Sequence, residues 1–363
     1  MTAREGAAGD TPAAPRRFDR ARRPPLRRVA DVLRSGETHA WRWGARIAVL
    51  LPVAGLLFAV TVLALKAYPA IKVNGSPFFT GSGFKIGSTY AVTVHTAGVA
   101  HPKGSFYGAW PLIAGTLQTS AIAVVVALPV SVGCAFALTE RLPAIVSRPL
   151  GFAIELLAGV PSVVLGLWGV LTFGPWLAKT LYPLLANNLP DVPVLDFFKG
   201  TVGHGEGLLT GGLVLSLMIV PIITATTADL FRQVPTLPKE GGEALGMTDF
   251  EVAQRVTLRW VRSGIIGATA LGLGRALGET MAVVLTVGAI FKVAPNVYSP
   301  MSTIAAAIAT QLDSALTDGT GFAVASYAEL ALVLAVISVL VNLAARWVVR
   351  RTSHLGGPVG RAA

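Results

Sequence analysis

Long apolar runs constrain the fold of this chain more than any other feature. A helix needs about 20 consecutive, mostly apolar residues to cross a hydrocarbon core about 30 Å thick, and several runs reach that length. The composition agrees, with 53% hydrophobic and only 13% charged residues. Within lipid, a helix satisfies its own backbone hydrogen bonds. We therefore predict an all-α polytopic membrane protein with six transmembrane helices, at residues 46–68, 111–138, 149–177, 207–231, 263–291 and 326–349.

The distribution of Lys and Arg orients these helices. Of the 30 basic residues, 22 fall on or beside the two chain ends and the segments 139–148 and 232–262, seven Lys fall on the alternate loops, and Arg275 lies within a span. Because basic residues collect on the cytoplasmic side, both termini are predicted to be cytoplasmic. Residues 1–45 are predicted to form a basic, disordered cytoplasmic tail, and residues 350–363 a second cytoplasmic tail.

Two loops on the opposite face are too long to be tight turns, at residues 69–110 and 178–206. Both are rich in Gly, Pro, Asn and aromatic residues, and residues 90–95 alternate like a short strand. We predict small ordered caps on the extracytoplasmic face.

Motifs of enzyme chemistry are missing from the sequence. It contains no G-x-x-x-x-G-K-[ST] nucleotide loop, no H-E-x-x-H and no G-x-S-x-G. The single cysteine, Cys134, lies within a span, and the five histidines are scattered without metal-ligand spacing. We expect no cofactor or metal bound by this chain. The net charge of +11 comes mostly from the topological bias, so contact of the basic tail with membrane lipid is favoured over nucleic acid.

Two opposite charges interrupt the fifth predicted span. Arg275 and Glu279 are one helical turn apart and about 18 and 24 Å into that helix, where a charge is costly and usually faces a partner, a cavity or a passing ion. One interpretation is a transport path. The alternative is a buried structural salt bridge, which the i, i+4 spacing allows although the order Arg before Glu is the less favourable one. Glu155, near the start of the third span, is a further candidate for the path.

The cytoplasmic segment 237–260 carries a helix start signal. Gly246 favours a turn, and Thr248-x-x-Glu251 is a capping box. A short amphipathic helix is predicted to follow and to reach Leu258. Such a helix suits docking into a groove of a soluble partner, while the plainer alternative is a helix that only stiffens the loop.

This segment resembles the EAA loop of ABC importer permeases, whose pattern is E-A-A-x-x-x-G, nine residues, I-x-L-P. Here Glu240-Gly-Gly-x-x-x-Gly246 is followed after nine residues by Val256-x-Leu258. The spacing agrees, and the departures are glycines for both alanines, Val for Ile and Arg259 for the final Pro. From about Tyr107 onward the chain also resembles phosphate permeases of the PstC type, in the stretches IELLAGVPSVVLGLWG, IVPII and LGLGRALGETMAV.

This resemblance implies a type I ABC importer permease fold, with a five-helix core at 111–349, in a bacterial cell membrane. It implies a phosphate importer whose partners are a second homologous permease, two copies of a cytoplasmic ATPase and an extracytoplasmic phosphate-binding protein. The chain itself is then no enzyme, since ATP hydrolysis belongs to a partner. The implied substrate path includes Arg275, Glu279 and Glu155. The implied ATPase-coupling residues are Glu240, Gly246, Thr248, Asp249, Glu251, Val256 and Leu258.

The residues alone are compatible with three other functions. A permease of the same class for another anion or solute would use the same features, because an Arg also binds sulfate. A secondary transporter driven by an ion gradient would need no docking loop at 237–260. A membrane scaffold would leave Arg275 and Glu279 without a role.

Overall fold

The computed structural model describes residues 25–85, 92–190 and 192–353, and within them the predicted all-α class is confirmed. The α-helices are α1 Pro25–Asn74, α2 Pro77–Thr80, α3 Trp110–Phe136, α4 Ala144–Ala158, α5 Ser162–Trp168, α6 Gly174–Lys179, α7 Leu181–Asn188, α8 Leu208–Arg232, α9 Thr236–Ala244, α10 Asp249–Val252, α11 Leu258–Leu277, α12 Met281–Val287, α13 Ile304–Leu316 and α14 Phe322–Ser353. Three π-helical turns and one 3₁₀ turn join them, at Ala137–Arg141, Gly169–Phe173, Ala253–Thr257 and Pro193–Phe198.

In the described residues, five helical runs are long and apolar enough to cross a membrane, and a bent pair of helices makes a sixth if it is one span. Trp110–Arg141, Leu208–Arg232 and Phe322–Arg351 confirm the second, fourth and sixth predicted spans. The first predicted span lies inside the run Trp43–Asn74.

The ends of the chain differ from the prediction. Helix α1 begins at Pro25, so residues 25–45, expected in a disordered tail, are helical, and residues 1–24 lie outside the described part. Likewise α14 continues to Ser353, and residues 354–363 are not described. By contacts the chain divides into two units, Met1–Val60 and Thr61–Ala363. In the first unit, the side chains from Trp43 to Val60 are all exposed.

The third predicted span, 149–177, is wrong in its bounds. Helix α4 ends at Ala158, and the apolar run of spanning length is Ser162–Asn188. Pro161 explains the break, because it lacks an N–H and disfavours helical backbone at Val160 before it. The predicted outer loop 178–206 is correspondingly shorter, since helix continues to Asn188.

The fifth predicted span, 263–291, is also not one straight helix. Helical structure begins at Asp249, breaks after Leu277 and resumes in α12 with a bend of 72°. Gly278 is the C-cap residue of α11, and its backbone N–H donates to the carbonyl of Arg275. The chain then leaves α12 through Gly288 at φ +98°, a conformation that favours glycine.

Helix α8 forms the centre of the second unit. Its most apolar window is 78% buried, the highest value among the candidate spans. Two glycines of α11 let it approach α8 closely. A Cβ added at Gly264 would lie 2.5 Å from Leu230 of α8, and one added at Gly272 would lie 2.8 Å from Ile223. Small residues at such contacts are typical of helix packing in membranes.

The loop between α1 and α3 contains the small cap that the sequence predicts. Strand β1 (Phe84–Lys85) pairs with β4 (Phe106–Tyr107), and β2 (Thr93–Thr96) pairs with β3 (Val99–Pro102), both antiparallel. The predicted strand at 90–95 is confirmed from Thr93 onward, and residues 86–91 are not described.

Candidate functional site

Arg275 lies in the last turn of α11, just before the break in the fifth span. Its side chain is exposed, and in the described part of the chain it has no hydrogen-bond or ion-pair partner. The exposed residues Gly267, Leu271 and Gly278 share its face of the helix, at spacings of three and four residues. This exposed stripe presents a guanidinium surrounded by small residues and one leucine.

Glu279 does not lie on the same helix as Arg275. It is in the break between α11 and α12 and is half-buried. Its backbone N–H donates to Ala276, and no ion pair joins its carboxylate to Arg275 within the described residues. The predicted i, i+4 geometry is therefore wrong, because it presumed an unbroken helix. The structural salt bridge that the same spacing allowed is wrong for the same reason.

The two broken spans meet each other. Helices α5 and α12, which follow the breaks, pack together, and a Cβ at Gly166 would lie 2.8 Å from the Cα of Ala282. Arg275 and Glu155 each precede a break by about one turn. Unwound backbone in a membrane protein is tolerated where it is buried in protein or lines a cavity. The two breaks are therefore the candidate location of a substrate path.

Glu155 is exposed on α4 and has no hydrogen bond or ion pair to Arg275 or Glu279 in the described residues. A different acid is buried instead: Glu329 of α14 is 4% exposed and accepts a 2.8 Å hydrogen bond from the side-chain amide of Asn74. This hydrogen bond links the end of α1 to the last span. The sequence gives no indication of it, because the two residues are far apart in the chain.

Residues 237–260, which we call the coupling segment after the role that the resemblance implies, form two helices around a tight turn. Helix α9 is followed by Gly246 at φ +78°, and Thr248 then caps α10. The predicted capping box is confirmed: the Thr248 hydroxyl accepts from the Glu251 N–H at 3.4 Å, and the Glu251 carboxylate accepts from the Thr248 N–H at 3.0 Å. The hydrogen bonds from the Thr248 backbone and hydroxyl lower the pKa of Glu251 below its ordinary value.

The helix after this cap is not short. From Asp249 it continues through the π turn at Ala253–Thr257 directly into α11, so it extends to the break beside Arg275. The sequence analysis instead predicted a short helix that reaches Leu258 and a separate span that begins at residue 263.

The surface of the coupling segment is mixed. Glu240, Gly246, Thr248 and Asp249 are exposed, whereas Glu251, Val256 and Leu258 are half-buried. The apolar side chains of Leu237, Leu245 and Phe250 are also exposed, at 77%, 80% and 58%. Exposed apolar side chains beside a capped helix start suit the docking surface that the sequence analysis predicts.

Two ion pairs that the sequence analysis missed join the coupling segment to the end of α3. Lys239 of α9 contacts Glu140 at 2.6 Å, and Asp249 at the start of α10 lies 3.7 Å from Arg141. These partners are about a hundred residues apart in sequence, so no local pattern could have indicated them.

Known proteins resemble this chain over most of its length. A family model described as "Binding-protein-dependent transport system inner membrane component" matches residues 127–354. The "Phosphate transport system permease protein PstC 1" of Mycobacterium tuberculosis is 55% identical over 337 residues, which are 93% of this chain and 99% of that protein. The PstC protein of Haemophilus influenzae is 40% identical over 70% of this chain and 80% of its own length.

Among solved structures, an inward-facing form of the MetNI methionine ABC transporter matches 68% of this chain and 94% of its own, with 18% identity and a TM-score of 0.45. The assignment to a family therefore rests on the sequence relatives.

Proposed function

Because the chain belongs to the family of binding-protein-dependent transport system inner membrane components, and within it to the PstC-type phosphate permeases, we propose that it forms half of the translocation path of an ATP-driven phosphate importer. The observation that carries this proposal is the 55% identity over nearly the whole length of a phosphate permease. The type I permease fold and the multi-pass membrane location follow from the same family.

In this function, Arg275 is the residue that meets the anion. Its guanidinium can donate parallel hydrogen bonds to two phosphate oxygens, and it has no competing partner in the described chain. Being exposed on this chain, it faces either the path or the surface that the second permease covers.

Glu279 adds selectivity in the same proposal. At neutral pH phosphate keeps at least one proton, whereas sulfate has none. A carboxylate in the break, four residues from Arg275, can accept a hydrogen bond from that proton and repels a fully ionised oxyanion. Glu155 contributes negative charge beside the other break.

The remaining partners are those that membership of this family implies. This chain has no nucleotide-binding motif, and in the proposal two copies of a cytoplasmic ATPase act through its coupling segment and through the homologous segment of the second permease. A phosphate-binding protein delivers substrate to the extracytoplasmic face. Both termini lie in the cytoplasm, as the distribution of basic residues indicates.

The test is purification of the chain in mild detergent, followed by reconstitution and measurement of radiolabelled phosphate uptake. We expect an ATPase and a second permease to copurify with the chain, and we expect excess sulfate not to compete with phosphate for uptake.

In the Arg275→Gln variant, phosphate uptake should fall about 10- to 100-fold, since hydrogen bonds to charged groups are worth about 1.5–3 kcal/mol. In Glu279→Gln, sulfate should begin to compete. Recovery of the chain alone, or uptake of another solute in place of phosphate, would contradict the proposal.

A further inference from the structure

The cytoplasmic end of α3 is linked to both helices of the coupling segment. Lys239 on α9 donates to Glu140, and Asp249 at the start of α10 pairs with Arg141. We call these four residues the ion-pair bridge. Since its two pairs lie on opposite sides of the Gly246 turn, the bridge holds the turn as a unit against the end of α3.

An apolar cavity lies between the same parts of the molecule. It has a volume of about 250 Å³ and is lined on one side by Val132 and Phe136 of α3, and on the other by Phe250, Ala253 and Leu258. The side chains on its two sides do not fill the space between them, so the inner part of α3 and the start of the α10–α11 helix have room to shift there. Within the described residues, the ion-pair bridge is a polar link between these two parts.

Each side of the cavity also carries a π-helical turn. One is Ala137–Arg141, which contains Glu140 and Arg141, and the other is Ala253–Thr257, which follows α10. Turns of this type are rare in proteins overall, and those that occur are frequently found at functional sites. Two of the three π-helical turns in the described residues therefore lie beside this cavity.

We propose that Glu140 and Arg141 are positioning residues that pass movement of the coupling segment to the α3 span. This role rests on the proposed function, in which an ATPase displaces that segment. One route of transmission is the unbroken helix from α10 into α11. The ion-pair bridge provides a second route, through α3 to α8, against which α3 packs along its length.

The two pairs of the bridge differ in strength. Lys239 and Glu140 are close, and their side chains are only 20% and 24% exposed. Arg141 and Asp249 are farther apart and 49% and 79% exposed, so water and salt screen them. The larger effect is therefore expected from the Lys239–Glu140 pair.

The experiment measures phosphate uptake and ATP hydrolysis together in the reconstituted complex, each per amount of assembled complex. In Glu140→Gln and in Lys239→Gln, uptake per ATP hydrolysed should fall about fivefold, the lower range of coupling between sites in proteins. The reversed double variant, Glu140→Lys with Lys239→Glu, should regain at least half of the ratio. Arg141→Gln should lower the ratio less than Glu140→Gln.

Asp229→Asn is the matched control. Asp229 pairs with Arg232 at 3.0 Å near the same cytoplasmic end, but both residues belong to α8, so the pair links no two helices. Its uptake per ATP should equal that of the wild type.

An unchanged ratio in the Glu140 and Lys239 variants would overturn the positioning role, even if uptake and hydrolysis fell in proportion. A wild-type complex without ATP-dependent phosphate uptake would overturn the proposed function itself, and this role with it.

Discussion

Arg275 is unusual because it combines exposure with the lack of a partner in a helix of membrane length. A charged side chain at the centre of a membrane helix costs about 2.5–3.5 kcal/mol on insertion scales, more than a structural role without a partner could offset. In the described part of the chain no side chain neutralises it. We therefore expect the surface around Arg275 to face water or another protein in the assembled importer.

Exchanging Arg275 and Glu279 tests whether the two residues belong to a substrate path or form a structural salt bridge. We expect Arg275→Glu and Glu279→Arg each to abolish uptake, and the double exchange to remain as inactive as the single variants. The reason is that Glu279 lies in the break and forms no ion pair with Arg275, so its position cannot substitute for that of the arginine. The measurement is phosphate uptake at equal amounts of assembled complex. Uptake near the wild-type rate in the double variant would show that pairing alone matters.

The sequence identifies Arg275 as a candidate but does not predict its surroundings. A charge in an apolar run is visible in any hydropathy profile, whereas the spacing argument for Glu279 holds only within a continuous helix. Gly278 was the available signal, since glycine weakens a helix and commonly ends one. The buried contact of Glu329 with Asn74 had no signal, because its partners are 255 residues apart.

At the level of helices, the sequence located the apolar runs well and the break at Gly278 poorly. Averaging hydropathy over about 20 residues finds spans such as α8 and α14, yet the average does not reveal that the helix ends at Gly278. The capping box at Thr248 was predictable because its two residues are three apart. Helix α9 was missed, and the π turns depend on tertiary packing that a local pattern does not contain.

Contact between the two broken spans should depend on the absence of a side chain at Gly166. A Cβ there would meet the Cα of Ala282 at 2.8 Å, and backbone cannot move aside cheaply. Gly166→Ala is expected to destabilise the chain by about 1–3 kcal/mol. Its unfolding in detergent can be followed through the single cysteine, Cys134, with a thiol-reactive dye, and the midpoint should fall by several degrees.

Gly151→Ala is the control for this substitution. Gly151 lies in α4, and a Cβ added there would have no neighbouring atom within 4 Å, so alanine should fit and add helix propensity worth up to about 1 kcal/mol. Equal midpoints for the Gly166 and Gly151 variants would contradict the close packing of α5 on α12.

Asp318 caps the last helix and should make its stability depend on pH. Burial alone would raise the pKa of this carboxyl, but hydrogen bonds from the N–H groups of Ala323 and Thr320 and from the Thr320 hydroxyl outweigh it and lower the pKa below 3.8. Because the folded pKa is lower than the unfolded one, the stabilisation is present above about pH 4 and is lost as the pH falls further.

We therefore expect Asp318→Asn to lower the thermal midpoint at pH 7, and the difference from the wild type to shrink as the pH falls below about 4. Differential scanning fluorimetry at several pH values measures this. Asp313→Asn is the control, since Asp313 is exposed on α13 and forms no hydrogen bond or ion pair in the described residues. A difference that stays constant from pH 7 to pH 3 would contradict the cap.

For the whole molecule, the proposal requires one orientation in the membrane. The coupling segment must meet the ATPase in the cytoplasm, and the β2–β3 hairpin must lie on the other side, where a binding protein delivers substrate. The distribution of 22 basic residues against seven indicates the same orientation without reference to function. These two arguments are independent, because one uses the docking surface and the other uses charge.

Single cysteines test this orientation directly. In a Cys134→Ser background, Val92→Cys is exposed beside the β2–β3 hairpin and Gln233→Cys is exposed between α8 and α9. A maleimide that cannot cross membranes should label the cysteine at position 92 in intact cells, and the one at position 233 only after permeabilisation. The Cys134→Ser background should still transport phosphate, because Cys134 is a half-buried packing residue. The opposite labelling pattern would place the coupling segment outside the cell, away from ATP, and would contradict both the topology and the importer function.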